Sequence, residues 1–204
     1  MAELTVTTFV SLDGVMQAPG GPKEDTSGDF RHGGWVFPHA DAGMGAIIVD
    51  IFSNADAFLL GRGTYDIFAS HWPRVTDPQD PIATKLNALP KHVASRSRTS
   101  FDWHDSEAVR NVITEVPVLK KRYARELQVH GSAALVQTLI EQDLIDEYRI
   151  LVFPVVLGSG KRLFGSGAIP RTLSLKHSQT TGSGVVYSVY RRAGALKTGS
   201  FALE

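Results

Sequence analysis

The 204-residue chain contains no cysteine, which excludes a disulfide framework, a thiolate nucleophile and a cysteine-ligated zinc. It has no excess of either charge, because Lys plus Arg and Asp plus Glu both number 21. A dedicated nucleic-acid binder draws affinity from a basic surface, so that class loses its electrostatic basis. No uninterrupted apolar run approaches the roughly 20 residues that span a bilayer. Residues 1–10 read as a short strand carrying Glu3, not as a basic leader before an apolar stretch. A soluble, cytoplasmic protein is therefore expected, with no membrane partner. The seven histidines lack the close paired spacing of a metal site. Ser132 does not sit in a Gly-x-Ser-x-Gly elbow, which argues against a serine hydrolase. The Gly-x-Gly-x-x-Gly dinucleotide fingerprint is also missing, since Gly158-Ser159-Gly160 follows the wrong element and opens no capped helix.

What is present is an alternation of strand and helix patterns. Residues 4–12 show the β-branched alternation of a strand, with Val6, Thr8 and Val10 set against Thr5, Thr7 and Phe9. A loop begins at Pro19-Gly20-Gly21-Pro22. The spacing predicts a helix over 43–54, a buried strand over 57–61 and a helix over 64–70. Pro73, Pro78 and Pro81 punctuate a second loop, with Trp72-Pro73 as a pocket wall or a core contact. A strand over 92–95 precedes a mainly helical stretch over 106–125, which Pro117 is expected to break or restart. A strand from Leu127 enters a Gly131-Ser132 turn, followed by a helix over 133–142. Tyr148, Ile150 and Val152 alternate with Arg149, Leu151 and Phe153 on an interior or subunit-facing strand. Strands over 173–178 and 185–191 close the chain as an antiparallel pair. Strands spaced by helices imply a largely parallel sheet covered on both faces, in one domain spanning 1–204. The closing Leu203-Glu204 reads as a cloning remnant.

Four junctions carry chemistry. In Gly61-Arg62-Gly63-Thr64 a strand stops at glycine, Thr64 is placed to cap a helix, and Arg62 projects from the turn. A guanidinium beside exposed helix N–H groups grips phosphate, although a solvated turn arginine fits the same residues. Ser95-Arg96-Ser97-Arg98 sets guanidiniums among hydroxyls after a strand, which suits an adenosine phosphate or a basic surface turn. Gly131-Ser132 reads as a capped βα turn with an anion site, or as an ordinary turn. Ser11-Leu12-Asp13-Gly14 ends the first strand in an Asp-Gly turn.

Taken in order, these segments resemble the dihydrofolate reductase-like superfamily, especially the branch holding the C-terminal reductase domain of bifunctional riboflavin enzymes. The resemblance runs over about residues 4–191. It implies a three-layer α/β fold with a mixed, mostly parallel sheet, helices on both faces and an antiparallel C-terminal strand pair. It implies NADPH in an extended groove, held by Gly61, Arg62, Thr64, Ser95, Arg96, Gly131 and Ser132. It also implies hydride transfer to a small, flat, reducible heterocycle, and a homodimer. Asp13 is one candidate for a catalytic role. For the buried acid of folate reductases Asp29, Asp41 and Asp50 compete, and Asp41 is chosen because it lies just ahead of the predicted helix. Two departures bear on the substrate. Riboflavin-pathway reductases carry Asp-Gly-Lys where this chain has Asp13-Gly14-Val15, and Glu-Gly-Gly where it has His130-Gly131-Ser132. The rivals are a pyrimidine reductase of riboflavin synthesis, a folate reductase, and a nucleotide-binding protein without turnover.

Overall fold

The β-branched N-terminal segment becomes β1 (Glu3–Ser11), in the interior of an eight-stranded sheet in the computed structural model. The structure describes residues 1–165 and 168–202, so Leu203-Glu204 lies outside it. The other strands are β2 (Ala55–Gly61), β3 (Lys91–Ala94), β4 (Ser106–Val109), β5 (Glu126–His130), β6 (Glu147–Phe153), β7 (Arg171–Thr180) and β8 (Val186–Ala195). Their order is β4-β3-β2-β5-β1-β6-β8-β7. The first six are parallel, β8 runs antiparallel to β6, and β7 antiparallel to β8. This is the mixed sheet with a closing antiparallel pair that the resemblance implied. β6 is an interior strand between β1 and β8, so both sets of its alternating residues pack within the fold.

Among the described residues five α-helices cover the sheet: α1 (Ala42–Ser53), α2 (Arg62–His71), α3 (Pro81–Ala88), α4 (Val112–Arg122) and α5 (Ala133–Glu141). On one face Leu4, Val6 and Val10 of β1 meet Val116 and Leu119 of α4 and Leu135, Val136, Leu139 and Ile140 of α5. Each such side chain contributes about 1.5–3 kcal/mol when fully buried. On the other face Ile47 and Ile51 of α1 pack on Leu151 and Phe153, while Phe52, Tyr65 and Leu86 gather α1, α2 and α3 over β2 and β3. No helix among the described residues is long and apolar enough to cross a membrane.

Three sequence expectations are corrected. The helix expected over 106–125 is shorter than that span: Ser106–Val109 pairs with β3 as the edge strand β4, and the helix runs from Val112 to Arg122. The strand depends on that pairing, which no local pattern announces. Asn111 Oδ1 accepts from the Ile113 N–H at 3.1 Å, and Glu115 Oε1 reaches back to the Asn111 N–H at 2.6 Å. Pro117 does not break α4: it lies on the exposed side, and the helix continues through it from Val112 to Arg122. The second loop contains α3, whose start is a side-chain cap followed by proline: Asp80 Oδ1 accepts from Ile82 and Ala83 N–H, both at 2.9 Å.

Candidate active site

The carboxyl ends of four neighbouring strands, β4, β3, β2 and β5, open on one cavity of about 1510 Å³. Ligands of open α/β sheets gather at such ends. Arg110 follows β4, Arg96 lies just beyond β3, and Arg62 follows β2, so three guanidiniums step along the sheet in strand order. Arg110 is tied to the Ser95 carbonyl at 2.9 Å. Arg62 and Arg96 are exposed and line the cavity with no ion-pair partner among the described residues. Arg98, expected to share the anion role, is instead paired with Asp66 and laid over the Tyr65 ring at 4.8 Å.

The helices divide by how they begin. Asp41, Asp80 and Asn111 cap α1, α3 and α4 with their side chains. Neither α2 nor α5 has a side-chain cap, and both start at the cavity. Thr64 therefore does not cap a helix: α2 already begins at Arg62, which places Thr64 inside the first turn. Ser132 occupies the cap position of α5 but does not cap it. Its φ of 61° follows 54° at Gly131, a sharp left-handed turn that draws the hydroxyl away from the helix. That hydroxyl donates to the His130 carbonyl at 3.1 Å and accepts from the Gly61 N–H at 2.9 Å. The first helical bond runs from Val136 N–H to the Ser132 carbonyl, so the amides of Ala133, Ala134 and Leu135 have no intrahelical acceptor. A Cβ at Gly61 would stand 3.2 Å from Ser132 Cβ, so glycine is what lets the two turns touch. Two free helix N-termini thus lie side by side, flanked by unpaired guanidiniums. The arrangement suits a ligand bearing two linked phosphates.

Beyond β5 the cavity turns apolar. Phe9 of β1, Met16, and Met44, Ile48 and Phe52 of α1 line it, with Trp72 contributing a wall; Pro73 faces elsewhere. Thr7 and His130 supply polar groups there, and Gln17, Glu24, Asp25, Ser27 and Lys161 also line the cavity. An apolar slot with a few polar groups suits a flat ring.

Residues 2–187 match the RibD C-terminal domain. The chain belongs to that family. This RibD C-terminal domain is 29% identical over 187 residues to the uncharacterized protein YyaP of Bacillus subtilis (strain 168), covering 91% of this chain and 92% of YyaP. It is 30% identical to the uncharacterized protein YwjB of the same organism, covering 86% and 90%. Among solved structures it is similar to a putative riboflavin biosynthesis protein from Shewanella sp. PV-4, with a TM-score of 0.63, 20% identity and coverage of 95% and 99%. The bifunctional diaminohydroxyphosphoribosylaminopyrimidine deaminase/5-amino-6-(5-phosphoribosylamino)uracil reductase of Thermotoga maritima has the same fold, at a TM-score of 0.61 and 12% identity. It is matched over 94% of this chain but 57% of its own length.

In this RibD C-terminal domain the two aspartates proposed from sequence are engaged elsewhere. Asp13 Oδ1 accepts from Ser11 Oγ at 2.6 Å and Leu157 N–H at 3.1 Å, and Oδ2 accepts from Gly158 N–H at 2.9 Å. The Ser11 hydroxyl and these amides hold its carboxyl near pKa 2. Asp41 Oδ1 accepts from the Met44 N–H at 2.7 Å and Oδ2 from the Ser183 N–H at 2.8 Å, and both amides lower its pKa. Neither aspartate lines the cavity. Gly61, Arg62, Thr64, Ser95, Arg96, Gly131 and Ser132 all do. Sequence reasoning missed Arg110, hidden in the segment read as helix. It also passed over Thr7 in β1 and treated His130 only as a departure from a family pattern. The period-two run Glu126, Gln128, His130 between Leu127 and Val129 was the available signal, a polar stripe on a strand buried along its whole length. Among the described residues no cluster suited to a metal ion is present.

Proposed function

We propose that the protein is an NADPH-dependent reductase that passes hydride to a small, flat, reducible heterocycle. The single observation that carries this reading is the pair of uncapped helix N-termini at Gly61 and Ser132, facing one cavity with the unpaired Arg62 and Arg96. Membership in the RibD C-terminal domain family supports a reductase of the pyrimidine reductase kind. The chain's own groups fit the cofactor along its length. Arg96 and Ser95 at the end of β3, with Arg110 from β4, meet an adenosine bearing a 2′-phosphate. The amides of Ala133–Leu135 and the start of α2 meet the pyrophosphate, joined by Arg62. The slot between Phe9 and α1 takes flat rings and keeps water from them.

When bound, NADPH supplies the hydride from its dihydronicotinamide ring. The residues would bind, orient and desolvate: the guanidiniums would hold the phosphates, and the apolar slot would take the rings. Asp13 acts as a positioning residue, joining the turn after β1 to the backbone at Leu157 and Gly158.

Parallel titrations with NADPH and NADH, followed by fluorescence and thermal shift, test the reading. Tight NADPH binding with weak NADH binding is expected, along with a higher melting temperature by mass action. Failure to bind either refutes it. Binding without oxidation by any acceptor in a panel of dihydrofolate, the ribosylamino-pyrimidine and quinones would leave a nucleotide-binding protein.

A further inference from the structure

Thr7 and His130 are cross-strand partners on β1 and β5, with side chains on the same face of the sheet. Both line the cavity beside Phe52, and they are 3% and 7% exposed. Among the described residues the Thr7 hydroxyl has no hydrogen-bond partner, although a buried unsatisfied hydroxyl costs about 1–3 kcal/mol. Thr5 is equally unpaired but does not reach the cavity.

The tautomer of His130 follows from its neighbours. Arg149 clasps Glu126 with two bonds of 2.8 and 2.6 Å. Gln128 Nε2 then donates to Glu126 Oε2 at 2.7 Å and to the Ile51 carbonyl at 2.6 Å. Only Oε1 of Gln128 is left to face His130, so it accepts, and His130 Nε2, 3.0 Å away, carries the proton. Burial, helped by the Arg149 charge, pushes the imidazole pKa down to about 3, so the ring is neutral. Nδ1 is therefore a bare lone pair with no partner among the described residues. Phe52 fixes the ring by stacking on it at 4.3 Å and 13°.

We infer that Thr7 and His130 read the amide edge of a bound ring, with Nδ1 of His130 accepting its N–H and the Thr7 hydroxyl donating to its carbonyl. The inference rests on the reading of the cavity as a cofactor and acceptor groove. A lactam of the reducible heterocycle and the carboxamide of the nicotinamide both present this edge. The pair is specific because it offers one acceptor and one donor, each without a rival on the protein, in a site that water leaves when a ring enters.

Thr7→Val is the decisive variant, since it keeps the shape and β-branching and deletes a hydroxyl that no protein group uses. Its melting temperature should equal or exceed that of the parent protein. Four probes are titrated into both proteins: NADPH, its 3-acetylpyridine analogue, lumazine, and 3-methyl-lumazine. The last two are added both to protein mixed with excess NADP⁺ and to protein alone. The parent protein should prefer the amide-bearing member of at least one pair, and Thr7→Val should bind that member about 3- to 10-fold more weakly. A loss confined to lumazine assigns the edge to the heterocycle, and one confined to NADPH assigns it to the carboxamide. No preference within either pair, or parent-like affinity of Thr7→Val for both amide-bearing probes, overturns the inference while NADPH binding itself stands. Absence of NADPH binding with a lumazine preference lost in Thr7→Val would instead sink the cofactor reading and keep the pair.

Discussion

The Ser132 hydroxyl accepts the Gly61 N–H at 2.9 Å, joining the ends of β2 and β5 where α2 and α5 both begin. One side chain thus sets the spacing of the two helix N-termini on which the anion site depends. Ser132→Ala removes this bond and the one to the His130 carbonyl. Urea unfolding should show a loss of about 1–3 kcal/mol, because the Gly61 amide is left without its partner. NADPH affinity should fall as well. Parent-like stability and affinity would show that the tie carries no weight.

Arg62→Ala and Arg96→Ala should each weaken NADPH binding by about 1.5–3 kcal/mol, the range for a lost hydrogen bond to a charged group. Arg96→Ala should cost NADPH more than NADH, since Arg96 sits beyond β3 with Ser95, at the end assigned to the 2′-phosphate. Isothermal titration of both cofactors decides the matter, and equal losses would move the 2′-phosphate to Arg110.

Asp13 ionises near pH 2 in the folded protein, chiefly through the Ser11 hydroxyl and the Leu157 amide, against an ordinary value of 3.8. A depressed folded pKa contributes stability that is present above the unfolded value and lost as the pH falls from about 4 to 2. Asp13→Asn should therefore lower stability at pH 7 and flatten that part of the acid-unfolding profile. A variant that kept full stability but lost all turnover would make Asp13 a catalytic group instead.

Lys91 is fully buried, donates to the Leu86 carbonyl at 3.1 Å and lies 4.6 Å from the centre of the Trp103 ring. Burial pulls its pKa from 10.5 to about 8. Below pH 8 both folded and unfolded states hold the proton, and the folded state carries the whole cost of the buried charge. Between pH 8 and 10.5 the unfolded state binds more protons, so this group makes stability rise with pH, by at most about 1.4 kcal/mol per pH unit. Subtracting the urea-unfolding profile of Lys91→Met from that of the parent should isolate this rise. A flat difference would show that Lys91 keeps its charge throughout the range.

Local pattern was enough for much of the architecture. The β-branched run in β1, the amphipathic spacing of α1 and α5, and glycines at Gly61 and Gly131 are short-range signals, and the structure has those elements within a residue or two. The anion groove was legible in part, because strand ends followed by glycine and arginine mark their own junctions. The sequence did not show how those junctions are used. Ser132 and Thr64 have the residue types of helix caps, yet Ser132 bonds across to Gly61, 71 positions away in the chain, and Thr64 sits within the first turn of α2. Ser11 and Met44, which hold one oxygen each of Asp13 and Asp41, are near in sequence, but the further amides at Leu157, Gly158 and Ser183 are more than 140 residues distant. Arg110 reached the cavity only when residues 106–109 added to the sheet edge as β4. The tautomer of His130 is decided by a chain of hydrogen bonds through Gln128, Glu126 and Arg149 on two strands that β1 separates. Composition and periodicity determined which segments become strand or helix, since those preferences act over a few residues. Which polar group is spent and which is left for a ligand was decided by the tertiary structure, because a hydrogen-bond partner is chosen by proximity in space.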